Sequence, residues 1–132
     1  MKTLALRLHP DADIRRELEM LAQSNAIAAG VILGAVGSLS KTCLRFAGND
    51  KPTELLGKHE ILTLSGLIST EGVHLHMSVG NSQGHCIGGH VTYGCKVYTT
   101  LELVIGLVLD VTFQRVFDET TGFKELKVAK AD

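Results

Sequence analysis

Beyond its first 30 residues the chain is a succession of short apolar-rich runs separated by turn chemistry, with no stretch of helical periodicity. The runs cover residues 30–36, 39–46, 54–56, 60–68, 73–79, 85–91, 96–109 and 112–117. Turn chemistry falls at 47–50, Gly57, 69–72, 80–84, Gly94 and 118–122. Close spacing of short strands favours an antiparallel, meander-like sheet over repeated βαβ units. Fourteen glycines suit the curvature and the tight turns such a sheet needs.

The first 25 residues differ. Leu4, Leu6 and Leu8 alternate and predict a strand over 3–8. Pro10 and Asp11 then open a helix, with Asp11 as the expected N-cap. Ile14, Leu18, Leu21 and Ala22 fall on one helical face, Arg15, Arg16, Glu17 and Glu19 face water, and the helix ends near Asn25. The expected fold is therefore α+β: a single domain over residues 1–132, with one main helix on a curved, mostly antiparallel sheet that is barrel-like.

Composition excludes several classes of function. With 45% hydrophobic and 20% charged residues, the chain is no solvating tail. Its longest apolar run, residues 103–109, falls far short of the ~20 residues that cross a bilayer. The N-terminus is too short and polar for a signal peptide. Cys43, Cys86 and Cys95 form an odd set without CxxC spacing and read as reduced thiols, so the expected location is cytoplasmic. Thirteen basic against fourteen acidic residues leave a formal charge of −1, which gives no electrostatic footprint for gripping nucleic acid unaided.

The richest chemistry lies in residues 72–93, GVHLHMSVGNSQGHCIGGHVTY. On a strand, Val73, Leu75, Met77 and Val79 share one face and His74, His76 and Ser78 the other. Two imidazoles so spaced can converge on one metal ion. A turn at 81–84 followed by a hairpin return brings His90 near them, and Gly88 and Gly89 either leave space for a bound group or allow a bulge. Three imidazoles with an open coordination position suit zinc with a bound water, although nickel, copper and iron accept the same ligands. The alternative is a polar strand face turned to solvent. His85 sits in the turn, and His9 and His59 read as surface or strand-end residues without a special role.

Two charges lie in apolar runs. Glu102, in TTLELVIGLVL, is either a metal neighbour, a general base or a histidine-orienting partner, or else sits on a solvent face with Thr100 and Val104. Arg45, in CLRF, either holds an anion or pairs with Glu102 across the sheet, or is a plain surface arginine.

Taken together, several segments resemble the plant and prokaryote conserved (PPC) domain. They are Gly37-Ser38-Leu39-Ser40 with Leu44-Arg45, then residues 60–66 (EILTLSG), His74-Leu75-His76-Met77-Ser78-Val79, Gly88-Gly89-His90 and Thr99-Thr100-Leu101-Glu102-Leu103-Val104. The likeness runs in order through nearly the whole chain. It implies a compact antiparallel sheet with one helix, a homotrimer, and in some prokaryotic members a metal site on the residues matching His74, His76 and His90. Plant members carry AT-hook segments that bind A/T-rich DNA, and prokaryotic relatives are described as DNA-binding on that similarity. This sequence has no Arg-Gly-Arg-Pro hook and is expected to have no extension that carries one. The fold so implied also looks similar to that of acetolactate decarboxylase, a zinc enzyme with a three-histidine site.

Two expectations follow. The chain is a stand-alone, trimeric regulatory module with a DNA-related role, Lys124, Lys127 and Lys130 forming a weak basic patch when triplicated. Alternatively it is a zinc-dependent enzyme acting on a small anionic carbonyl or carboxylate substrate, with Glu102 as acid/base and Arg45 as anion anchor.

Overall fold

The computed structural model describes residues 1–132 in the order β1 (Lys2–Leu8), α1 (Ile14–Ser24), β2 (Gly30–Arg45), β3 (Thr53–Leu55), β4 (His59–Ser69), β5 (Gly72–Gly80), β6 (Cys86–Val91), β7 (Lys96–Leu107), β8 (Val111–Asp118) and β9 (Phe123–Lys130). Seven strands make one antiparallel sheet in the order β1-β7-β2-β4-β5-β6, with β3 beside β2. The sheet curves strongly enough for β6 to return against the far end of β2, at Leu44↔Val91 and Arg45↔His90. It is a curved sheet rather than a closed barrel. No helix is long and apolar enough to cross a membrane.

The two runs expected at 30–36 and 39–46 are one strand. Gly37, which reads as a break in the sequence, instead allows β2 and β7 to touch: a Cβ there would lie 2.8 Å from Leu101 Cα. Register shifts between β2 and β7 around Leu39 supply the bend without ending the strand.

The helix starts two residues later than the sequence predicts. Asp13, not Asp11, is the N-cap, its Oδ1 accepting from Arg16 N at 3.1 Å while Oδ2 accepts from Gly94 N at 2.7 Å. Asp11 has φ +70° and belongs to the preceding turn. Asp13 thus ties the start of α1 to the turn before β7. Ile14, Leu18 and Ala22 are fully buried, in a core with Leu39, Leu44, Ile68, Leu75, Val79, Val91, Leu101 and Ile105. The helix packs on the face of the sheet that these side chains share, and His74 and His76 on the other face of β5 remain outside.

The last strand, β9, has no counterpart among the runs the sequence marks. FKELKVAK is dominated by charge and nearly all of it is exposed, so hydrophobic patterning carries little signal there. It pairs with β8 from Val111↔Lys130 to Asp118↔Phe123. The turn is closed by Asp118, whose Oδ1 accepts from Thr120 N at 2.8 Å and Thr120 Oγ1 at 2.6 Å. The hairpin is anchored by Phe113 N donating to Ala28 O and by Arg115 N donating to the Glu71 carboxylate at 3.0 Å. His59 also departs from expectation: it starts a strand, but it is buried, and its Nδ1 donates to Gly57 O at 3.1 Å.

The thiols differ sharply in access. Cys86 is exposed, Cys43 is half-buried and Cys95 is buried. Burial pushes the Cys95 thiol up to about 11. Iodoacetamide is therefore expected to alkylate Cys86 first and to leave Cys95 untouched until the protein unfolds. Peptide mapping by mass spectrometry checks this, and alkylation of native Cys95 at the Cys86 rate would contradict it.

Candidate metal centre

Strand β5 alternates as its sequence predicts. Val73, Leu75, Met77 and Val79 are buried, while His74 and His76 point away from the core and are exposed. Strand β6 returns antiparallel, with His90 directly opposite His76. The ring centroids of His74 and His76 are 5.0 Å apart, those of His74 and His90 5.4 Å, and those of His76 and His90 5.7 Å. One nitrogen from each ring lies within 4.8 Å of the others, so the three side chains form a cluster able to hold a metal ion.

Gly88 and Gly89 line a cleft of about 300 Å³ together with His76, His90 and Arg45, and they also hold the strands close. A Cβ on Gly88 would sit 2.9 Å from Met77 O, and one on Gly89 2.8 Å from Arg45 O. Their role is to let β6 lie tightly between β5 and the end of β2, which sets His90 at the height of His76.

Charge and burial favour the neutral, ligating form of His74 and His90. Burial, then Arg45 opposite in the register, then His74 lower the His90 pKa to about 4. Burial, then His76 and Arg115, also lower that of His74. A buried polar atom supplies the test of fit to a metal. His90 Nδ1 is buried and has no hydrogen-bond partner, an expensive state for an imidazole nitrogen in a folded protein. A divalent cation binds the neutral form of imidazole, and the unpartnered ring nitrogen fits such an ion.

Of the other candidates, Arg45 is brought to the site and Glu102 is not. Arg45 lies beside His90 in the register and lines a cleft of about 570 Å³ together with His74, His90, Arg15, Arg115 and Lys124. Glu102 is exposed on β7, in register with Arg7 of β1 and Val36 of β2. From Val36 to Arg45 is ~30 Å of strand at the usual rise per residue. Glu102 and Arg45 therefore do not pair across the sheet.

Two cations of the cleft, Arg15 and Arg115, are not marked by the sequence, and a third, Lys124, is marked there only as part of a basic patch. The helical pattern turns Arg15 toward water, yet its Nη1 lies 3.3 Å from His90 Nε2 and donates to Val91 O at 3.2 Å. Arg115 and Lys124 arrive on the β8–β9 hairpin. Helical periodicity marks Arg15 as off the apolar stripe but cannot tell that β6 passes beside it. Glu19, Glu71 and Glu125 also line the cleft, which leaves the four cations one charge in excess.

Comparison with known proteins gives a consistent picture. A family model described as the Plants and Prokaryotes Conserved (PCC) domain matches residues 1–108. The chain is 42% identical over 130 residues to the bifunctional protein GlmU of Synechococcus sp. (strain JA-3-3Ab), a match covering 98% of this chain but only 21% of that relative's length. A hypothetical protein from Salmonella cholerae-suis superposes with TM-score 0.96 at 38% identity, over 99% of this chain and 95% of its own. A metal-containing protein from Archaeoglobus fulgidus superposes with TM-score 0.80 at 27% identity, over 96% of this chain and 94% of its own.

Proposed function

The chain belongs to the Plants and Prokaryotes Conserved (PCC) domain family, and on that footing we propose that it binds one divalent cation, Zn²⁺ by preference, on His74, His76 and His90. The observation that carries this reading is the meeting of three imidazoles on two paired strands, with one nitrogen of each within 4.8 Å of the others. The likeness to a metal-containing protein supports it. Zinc is preferred because an all-imidazole set of three leaves a fourth, open position, as in catalytic zinc sites.

The adjoining cleft supports a small anionic ligand over duplex DNA. Its four cations and three carboxylates leave one positive charge in excess over a cleft of about 570 Å³, whereas the whole chain carries a formal charge of −1. In a catalytic version of this reading the ligand is a small anionic carbonyl or carboxylate compound. Zn²⁺ in the site would supply Lewis-acid polarisation of a carbonyl or an acidified water. Arg45 would hold the anionic end of the substrate, and Glu102 stands outside that cleft.

Metal analysis tests the reading. Protein stripped with a chelator and reloaded is expected to retain one equivalent of Zn²⁺ per chain after desalting. Retention of none would reject the site.

The assembly proposed is a homotrimer located in the cytoplasm. Support for association comes from Leu33 and Val36 of β2, Leu62 of β4, and Tyr98 and Val104 of β7, large apolar side chains exposed on three adjacent strands. Light scattering is expected to give three times the 14.2 kDa of one chain. Val36→Lys, which sets a charge in the middle of that patch, is expected to shift the mass toward the monomer. A wild-type protein of monomeric mass would refute the trimer.

A further inference from the structure

Arg15 stands at the N-terminal end of α1 and is held on several sides. Its Nη1 donates to Val91 O at 3.2 Å and its guanidinium carbon lies 5.0 Å from the centroid of the Tyr93 ring, while its buried Nε, 4.0 Å from Glu19 Oε1, has no hydrogen-bond partner. Glu19 is fixed in turn by the Tyr93 hydroxyl, which donates to Oε2 at 2.9 Å. In that setting Nη1 lies 3.3 Å from His90 Nε2. A guanidinium has donors and no acceptor. The contact therefore needs the lone pair on Nε2, and the ring proton must sit on Nδ1, the buried nitrogen that meets no acceptor.

We infer that Arg15 and the metal compete for His90, so that loading the three-histidine site releases the Arg15 guanidinium to an anionic ligand in the adjoining cleft. The inference rests on the metal reading above. The exclusion holds whichever nitrogen binds. A metal on Nε2 takes the lone pair that Arg15 uses. A metal on Nδ1 requires the neutral ring to carry its proton on Nε2, where it would face another N–H at 3.3 Å. Neither route changes the net number of protons on the neutral ring. Once released, Arg15 still lines the cleft with Arg45, Arg115 and Lys124. Guanidinium groups so gathered suit a carboxylate or an oxyanion, which they can grip in bidentate fashion. An anion that captures freed Arg15 favours the metal-loaded state, and by linkage the metal strengthens anion binding by the same factor.

The test uses the full chain, ¹⁵N-labelled at histidine, with Arg15→Met and Arg115→Met as variants. Long-range ¹H–¹⁵N correlation on metal-free wild type is expected to show His90 with its proton on Nδ1, a bias that Arg15→Met loses. A proton on Nε2 in the wild type would overturn the inference. Zn²⁺ affinity, measured by chelator competition, is expected to rise about threefold to tenfold in Arg15→Met, the scale of one lost hydrogen bond. Arg115→Met removes an equal charge beside His74 without touching His90. An equal gain in both variants would mean that charge alone acts, and would overturn the inference. Sulfate added at constant ionic strength is expected to tighten Zn²⁺ binding in the wild type and not in Arg15→Met; no tightening in the wild type counts against it. If none of the three proteins binds Zn²⁺, the metal reading fails and takes this inference with it. Normal binding with the proton on Nε2 sinks this inference alone.

Discussion

His76→Ala is expected to lower Zn²⁺ affinity by at least about 100-fold while leaving the fold intact. Loss of an outer partner of a metal ligand costs about 10–100-fold, and loss of a ligand itself exceeds that. His76 is the member that links the set: it lies directly opposite His90 and two residues from His74 on the same strand face. Its side chain is exposed, outside the core that Leu75 and Met77 enter on either side. Removing it opens no cavity, so the free energy of unfolding of the metal-free protein should move by no more than about 0.5 kcal/mol. His85→Ala provides the comparison. His85 lies exposed in the β5–β6 turn, and only its backbone is engaged, its N–H donating to Asn81 Oδ1 at 2.9 Å and its carbonyl accepting from Asn81 N at 3.0 Å. Chelator competition should show the wild-type affinity in His85→Ala and the loss only in His76→Ala. An affinity within tenfold of wild type in His76→Ala would remove it from the ligand set.

The contrast between these two histidines shows what can be read from a sequence of this kind. The HxH spacing fixes a shared strand face for His74 and His76 because side chains alternate, whatever the rest of the chain does. The return of His90 is also legible, since a short polar turn between two strand-like runs makes a hairpin. Register supplies the rest, and here Gly88 and Gly89 set it by letting β6 lie close between two backbones, a role their spacing does not reveal. Glu102 and Arg45 show the limit more plainly. Both are charges in apolar strands, and the sequence treats them alike. They separate because the β2 register sets Val36 opposite Glu102 and Arg45 opposite His90. Arg15 and Arg115 were beyond reach for another reason. Each meets the histidines through a contact between distant elements, and no local period records such a contact.

A second large effect is expected at Gly66, where the fold and the site meet. Gly66 of β4 lies opposite Leu75 of β5, between the positions of His74 and His76. A Cβ on it would overlap His74 O and would stand 2.8 Å from Leu75 Cδ2 and 3.0 Å from Leu75 Cα. Two of these atoms are backbone, so no rotamer change relieves the clash, and β5 must move away from β4. Overpacking of this kind costs about 3 kcal/mol, the upper end of the usual range, because the strand carrying Leu75 and Val79 is part of the buried core. The displaced atom next to the site is the carbonyl of His74 itself, so Zn²⁺ affinity should fall along with stability. Gly34→Ala is the control, because a Cβ at Gly34 meets nothing within 4 Å. There the loss of unfolded-state freedom should leave stability unchanged or slightly raised. Urea unfolding followed by circular dichroism separates the two, with a lower midpoint in Gly66→Ala and a wild-type midpoint in Gly34→Ala. A wild-type midpoint in Gly66→Ala would mean that β4 and β5 are not packed as closely as described. Together with His76→Ala, the pair divides the requirements of the site: one substitution removes a ligand from an intact sheet, and the other leaves every ligand in place but moves the strand that holds two of them.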